Sequence, residues 1–255
     1  MFTPLIIFLA VIANVKGLIN TTVEVSELDP KGKDHVLPME VHKKIYSYTK
    51  YARAFKNMTF EQTVDFMNDL YAWQAPSDIQ KNFPYTLWGY DYERRPVWIH
   101  EVGRQDWRSI QEQGRMDILE KYFVKCLIHV VQSLAAADKP GDEIRTGVFI
   151  WDLEGFSMRQ IGHFPTVASL AGWAVRYGDV PLDLVGRVFI INSNFATKLA
   201  ADIARPLLGR VLEKVEIYGT NRNSWLPRIL KTVPLEVLPP WYGGNTDATP
   251  VAVYG

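Results

Sequence analysis

The chain has 255 residues, and its 28 Lys and Arg balance 28 Asp and Glu, so the formal net charge is zero. This length fits one domain with an accessory segment or two small domains, and the core is large enough to fold without covalent staples. Balanced charge leaves no electrostatic footprint of nucleic-acid binding, and Cys126, the only cysteine, excludes an intramolecular disulfide.

Phe2 to Val15 is almost entirely apolar and is followed by Lys16-Gly17. A bilayer span needs ~20 residues, so this run matches instead the apolar core of a secretory signal peptide, with cleavage near Gly17. Residues 1–17 are therefore expected to be a signal peptide and the protein to be secreted. Asn20-Thr21-Thr22 and Asn57-Met58-Thr59 are N-glycosylation sequons, with Asn20 and Asn57 as acceptors. Residues 18–36, polar and interrupted by Asp29-Pro30-Lys31-Gly32, read as a linker.

Pro38 opens a helix that runs to about Arg53, and Phe60, Val64, Met67 and Tyr71 form a helical stripe up to Trp73. Residues 37–75 are thus an N-terminal helical region. After a short turn at Pro76 come a strand from Tyr85 to Tyr90, a tight connection from Asp91 to Arg95, and a strand from Pro96 to Val102. Arg115 to Ala137 reads as a long helix, with Met116, Leu119, Phe123, Leu127, Val130 and Leu134 on its apolar side. Cys126 lies among them as a buried thiol rather than a nucleophile. Arg145 to Trp151 and Arg187 to Asn192 are continuous apolar runs, the mark of strands buried on both faces. Between them, Ser157 to Gln160 has the spacing of a capping box for a helix reaching about Tyr177. A helix from Phe195 to Pro206, a strand from Lys214 to Tyr218 and a helix from Ser224 to Lys231 complete the pattern. The alternation gives an α/β fold with a mixed, largely parallel sheet, spanning residues 76–245, with 246–255 as a C-terminal tail.

Catalytic signatures are sparse. Gly155-Phe156-Ser157 begins like a nucleophile elbow but lacks the second glycine. The five histidines have no metal-ligand spacing, so neither a metal nor a cofactor is expected. Asp152 and Glu154 follow a buried strand, where α/β proteins place ligand sites, and alternation along an extended chain sends both the same way. A hydrolase using Asp152, Glu154 or Ser157 is one alternative; a ligand-free interaction module with a filled core is another. The apolar inventory is richer. Ile99, Trp151, Val188 and Ile190 are candidates to face one space, closed by Phe164 and Val175. Phe195, Leu199, Ile203 and Leu207 form a stripe at four-residue spacing. Periodicity alone does not separate a cavity from an ordinary core.

Several of these segments, in this order, resemble the CRAL-TRIO lipid-binding family. They are Gly89-Tyr90-Asp91 with Pro96-Val97-Trp98, Asp152-Leu153-Glu154-Gly155, Ile191-Asn192, Ala204-Arg205-Pro206-Leu207-Leu208, Ile217-Tyr218-Gly219, and Leu238-Pro239 with Tyr242-Gly243-Gly244. The resemblance covers roughly Phe60 to Gly244. It implies a small N-terminal helical region and a mixed sheet flooring a deep apolar pocket. It also implies that the helix from Phe195 to Leu208 is a mobile lid bearing Phe195, Leu199, Ile203 and Leu207. Trp151, Phe156, Phe164, Val175, Leu182, Val188 and Ile190 fall where a tocopherol-binding member lines its pocket. Lys214 falls on a headgroup lysine of phosphoinositide-binding members, whose acidic partner position holds Leu182 here. The implied ligand is a lipophilic small molecule such as a retinoid, carotenoid, tocopherol, sterol or phospholipid, exchanged by transient membrane contact.

Overall fold

A computed structural model describes residues 36–197 and 213–255. The expected signal peptide, Asn20, and Leu199, Ile203 and Leu207 of the expected lid lie outside the described residues, as does the side chain of Leu182.

Two helices form the N-terminal region. Helix α1 spans Met39–Thr49 and buries Val41, Ile45 and Tyr48. Lys44, also buried, reaches Asp138 at 2.6 Å and Glu143 at 3.1 Å, while the Tyr48 hydroxyl donates to Arg145 O at 2.6 Å. These bonds pin α1 to the chain just ahead of the third strand. Helix α2, Phe60–Ala72, opens on a reciprocal capping box between Thr59 and Gln62. Asn57 stands exposed just before it.

After the short helix α3 (Ser77–Asn82), strands β1 (Tyr85–Tyr90) and β2 (Pro96–His100) pair as a hairpin. Asp91 holds its turn. One carboxylate oxygen accepts from the backbone of Glu93 and Arg95, and the other from the Arg95 guanidinium at 2.7 Å. A buried carboxylate saturated in this way explains why the motif needs aspartate at this corner.

Helices α4 (Trp107–Glu112) and α5 (Met116–Ala137) lead to β3 (Gly147–Asp152). Helices α6 (Met158–Ile161), α7 (Phe164–Tyr177) and α8 (Asp179–Leu184) lead to β4 (Val185–Ile191). Strand β5 (Val215–Ile217) and helix α9 (Arg222–Ile229) follow, then two 3-10 turns and β6 (Ala252–Tyr254). The sheet order is β5-β4-β3-β2-β1-β6. Strands β2 to β5 are parallel to one another, and β1 is antiparallel to both β2 and β6. The fold is the mixed, largely parallel α/β class expected.

Residues 246–255 are not a free tail, because their last residues form the β6 edge strand. Tyr254 carries its ring over His129 at a centroid distance of 3.9 Å. The segment is too short for its alternation to register as a strand.

The sheet separates two cores. On one face, Trp98, Phe149, Trp151, Val188 and Ile190 pack with α1, α2, α5 and α7. On the other, Val97, Ile99, Val148, Ile150, Phe189 and Ile191 pack with Trp225, Ile229, Val233, Leu238 and Tyr242 of the C-terminal segment. That segment closes tightly at Gly244, where an added Cβ would stand 1.7 Å from Leu238 O. Gly244→Ala must therefore displace backbone, and we expect a loss of about 3 kcal/mol, read as a lowered urea midpoint. An unchanged midpoint would refute this close approach.

Candidate ligand-binding site

The helical face of the sheet gathers most of the pocket residues expected from the sequence. Trp151 lies opposite Ile190 across β3 and β4, and Val188 opposite Phe149, so Trp151, Val188 and Ile190 share one side. All three are buried. Phe156, in the loop after β3, is buried against the same core.

Ile99 does not join them. It pairs with Ile150 and packs beneath the sheet. Strand alternation is strictly two-fold, so a shift of one residue sends a side chain to the opposite face. His100, which pairs with Trp151, occupies the position on the helical side.

Helix α7 presents Leu170 and Trp173 to this core, both buried, while Val175 is only half-buried. Phe164 is 79% exposed, because it is the first residue of α7 and sits at the corner after α6. It therefore does not close the space as expected. Phe195 is 76% exposed, whereas the adjacent Ala196 is buried in the helical-side core. The loop after β3 and the turn after β4 are tied together, since Asn194 donates its side-chain amide to Phe156 O at 2.6 Å.

The interior beside β1 and β2 is aromatic. Tyr85 bonds His129 Nδ1 through its hydroxyl at 2.9 Å and stacks on Tyr254. Burial keeps both neighbouring imidazoles neutral, with the pKa of His129 lowered to about 4 and that of His100 to about 3. Burial also pushes the Cys126 thiol well up, which makes it a poor nucleophile.

At the carboxyl ends of the strands, under the opposite face, lies a polar cleft of ≈ 570 Å³ whose lining includes Arg104, Asp152, Glu154, Asn192, Arg222 and Tyr242. Asp152 is its organising group. Oδ1 accepts from Glu154 N at 2.9 Å and Asn192 Nδ2 at 2.8 Å, and Oδ2 accepts from the Tyr242 hydroxyl at 2.6 Å. Asp152 and Glu154 line the same cleft, as alternation suggested, but the strand ends at Asp152, and Asp152 is buried whereas Glu154 is exposed. Glu154 is exposed and stands 3.5 Å from Arg104.

Ser157 is exposed and makes no capping bond to α6. Gln160 instead accepts from Arg108 N and donates to Asp106, so the expected capping box does not form. Lys214 donates to Val185 O at 2.9 Å, at the opposite end of the sheet from the cleft.

A family model described as the CRAL/TRIO domain matches residues 80–244. The phosphatidylinositol/phosphatidylcholine transfer protein SFH7 of Arabidopsis thaliana is 26% identical over 187 residues, which cover 71% of this chain and 33% of that protein. The SEC14 cytosolic factor of Eremothecium gossypii is 25% identical over 197 residues, covering 74% of this chain and 61% of that protein. The SEC14 cytosolic factor of Kluyveromyces lactis is 25% identical over 195 residues, covering 73% and 61%. The chain thus spans about a third to three fifths of the length of these relatives. A solved structure described as "Crystal structure of Sfh5" aligns with 78% of this chain and 72% of that one, at 9% identity and a TM-score of 0.45.

Proposed function

Because the chain belongs to the CRAL/TRIO family, we propose that it is a secreted carrier that holds a lipophilic small molecule between the helical face of its sheet and the covering helices. The observation that carries this reading is the convergence of Trp151, Phe156, Val188 and Ile190 on that face, within a core rich in aromatic side chains. The relative named as a phosphatidylinositol/phosphatidylcholine transfer protein supports lipid as the cargo class.

The driving force is removal of apolar ligand surface from water. Each buried methylene contributes ~0.8 kcal/mol, so about 20 carbons supply roughly 16 kcal/mol gross, from which immobilisation takes a large part. Such a ligand needs cover, and the segment beginning at Phe195 is the proposed lid. Export through residues 1–17 and glycosylation at Asn57, which is exposed, belong to the same proposal.

Loading requires the carrier to touch a membrane, and the exposed rings of Phe164 and Phe195 are proposed to make that contact. Phe164→Ser combined with Phe195→Ser is expected to lower co-sedimentation with phosphatidylcholine vesicles about tenfold, taking roughly 1.4 kcal/mol as the combined loss of partial ring burial. Because both rings are exposed, the thermal midpoint should hold. Vesicle association equal to wild type would remove these rings from the docking surface. The carrier reading itself is tested by transfer of labelled lipid between donor and acceptor vesicles. Transfer no faster than without protein would defeat it.

A further inference from the structure

Four of the polar side chains buried without a hydrogen-bond partner among the described residues lie between the end of β2 and the second turn of α5. They are His100 through both ring nitrogens, Gln105 through Oε1, Trp107 through Nε1 and Tyr122 through its hydroxyl. None is more than 4% exposed. They come from separate places in the chain: the end of β2, the loop before α4, the first residue of α4, and the second turn of α5.

A chain of ring contacts links three of them through Tyr85 and Phe123. The Tyr85 centroid lies 5.9 Å from that of His100 and 5.5 Å from that of Tyr122. Phe123 lies 6.0 Å from Tyr122 and 5.1 Å from Trp107. Gln105 precedes Trp107 by two residues.

Native interiors satisfy nearly all of their buried polar atoms, and this one does so close by. Trp98 donates to Ser133 at 3.1 Å, and Tyr85 is bonded to His129. A group of unmatched donors and acceptors is therefore a local exception that asks for a partner from outside the chain.

We propose that His100, Gln105, Trp107 and Tyr122 form the polar end of the ligand site and select a lipid that carries a neutral hydroxyl or carbonyl. This rests on the carrier reading and narrows its cargo. Trp107 and Tyr122 supply donors, Gln105 supplies an acceptor, and a neutral imidazole supplies one of each. A hydroxyl both gives and takes in such a set; a carbonyl takes from the indole and the phenol. None of the four carries positive charge, since burial keeps His100 neutral. A phosphate placed here would be an anion buried without a countercharge from the set. Apolar pockets commonly use a few such groups to fix ligand orientation and identity.

The test uses the full chain and three labelled probes offered in phosphatidylcholine vesicles: 1-octadecanol, octadecane and dioleoylphosphatidylcholine. Octadecanol and octadecane differ only in the hydroxyl. We expect octadecanol to be retained over octadecane by about tenfold or more, since a site built for a hydroxyl leaves its own groups unpaired against the hydrocarbon. Tyr122→Phe and Gln105→Leu should each bring that ratio towards one. Their thermal midpoints should hold or rise, because each removes an unmatched buried group. Equal retention of octadecanol and octadecane by wild type would overturn the assignment. So would a preference for the phospholipid, or an octadecanol advantage that survives both substitutions. If no probe is retained, the carrier reading falls, and this assignment with it.

Discussion

Replacing Asp152 by alanine is expected to destabilise the protein by about 3–5 kcal/mol, because it strands several donors that now bond a buried carboxylate. The carboxylate joins three parts of the fold at one point. Glu154 N belongs to its own loop, Asn192 directly follows β4, and Tyr242 belongs to the C-terminal segment covering the far face of the sheet. Tyr242 stays a donor, since burial first and Asp152 next push its hydroxyl pKa far above the usual phenol range. Asp152→Asn keeps one acceptor oxygen and should cost about half as much. In a double-mutant cycle with Tyr242→Phe, urea unfolding should give a coupling of at least about 1 kcal/mol, as expected for side chains in direct contact. Additive effects would mean that the two do not act as a pair.

Acid should weaken the fold well before its carboxylates protonate. Burial lowers the pKa of His100 to about 3 and that of His129 to about 4, from an ordinary 6.5. The unfolded chain therefore binds protons below about pH 6.5 that the folded chain refuses. The stability from holding each histidine neutral is fully present above pH 6.5 and is lost as pH falls towards the folded values. Moving from pH 7 to pH 5 should remove about 2 kcal/mol per histidine, or roughly 4 kcal/mol for the pair. Carboxylates held low by partners, such as Glu143 and Asp106, act in the same direction but at lower pH. His100→Phe should flatten the slope between pH 6 and 5 by about 1.4 kcal/mol per pH unit. A stability curve level from pH 7 to 5, or a slope indifferent to this substitution, would contradict burial of a neutral His100.

The sequence revealed the order and type of the main elements because long amphipathic helices and apolar strand runs carry strong periodicity. It did not reveal which strand residues share a face. Strands β2 and β3 are buried at every position, so no polar alternation marks their parity, and hydrophobicity alone does not place Ile99 beneath the sheet. Helix α5 shows the same limit. It is covered on several sides, and its buried positions include Tyr122, Cys126, His129 and Ser133, while Phe123 is only partly buried. Polar groups recurring three or four residues apart beside an apolar stripe were the available sign that this surface does more than pack. Gln105 and Trp107 gave no comparable signal, because a loop and one turn of helix have no period to read. Phe164 reads as core by hydrophobicity alone; its exposure follows from the corner between α6 and α7.

The most direct measurement is extraction of the purified full chain into chloroform–methanol, before and after incubation with mixed-lipid vesicles, followed by mass spectrometry. About one lipid per chain is expected, dominated by a species with a neutral hydroxyl or carbonyl. A folded chain that yields no lipid before or after incubation contradicts the carrier reading.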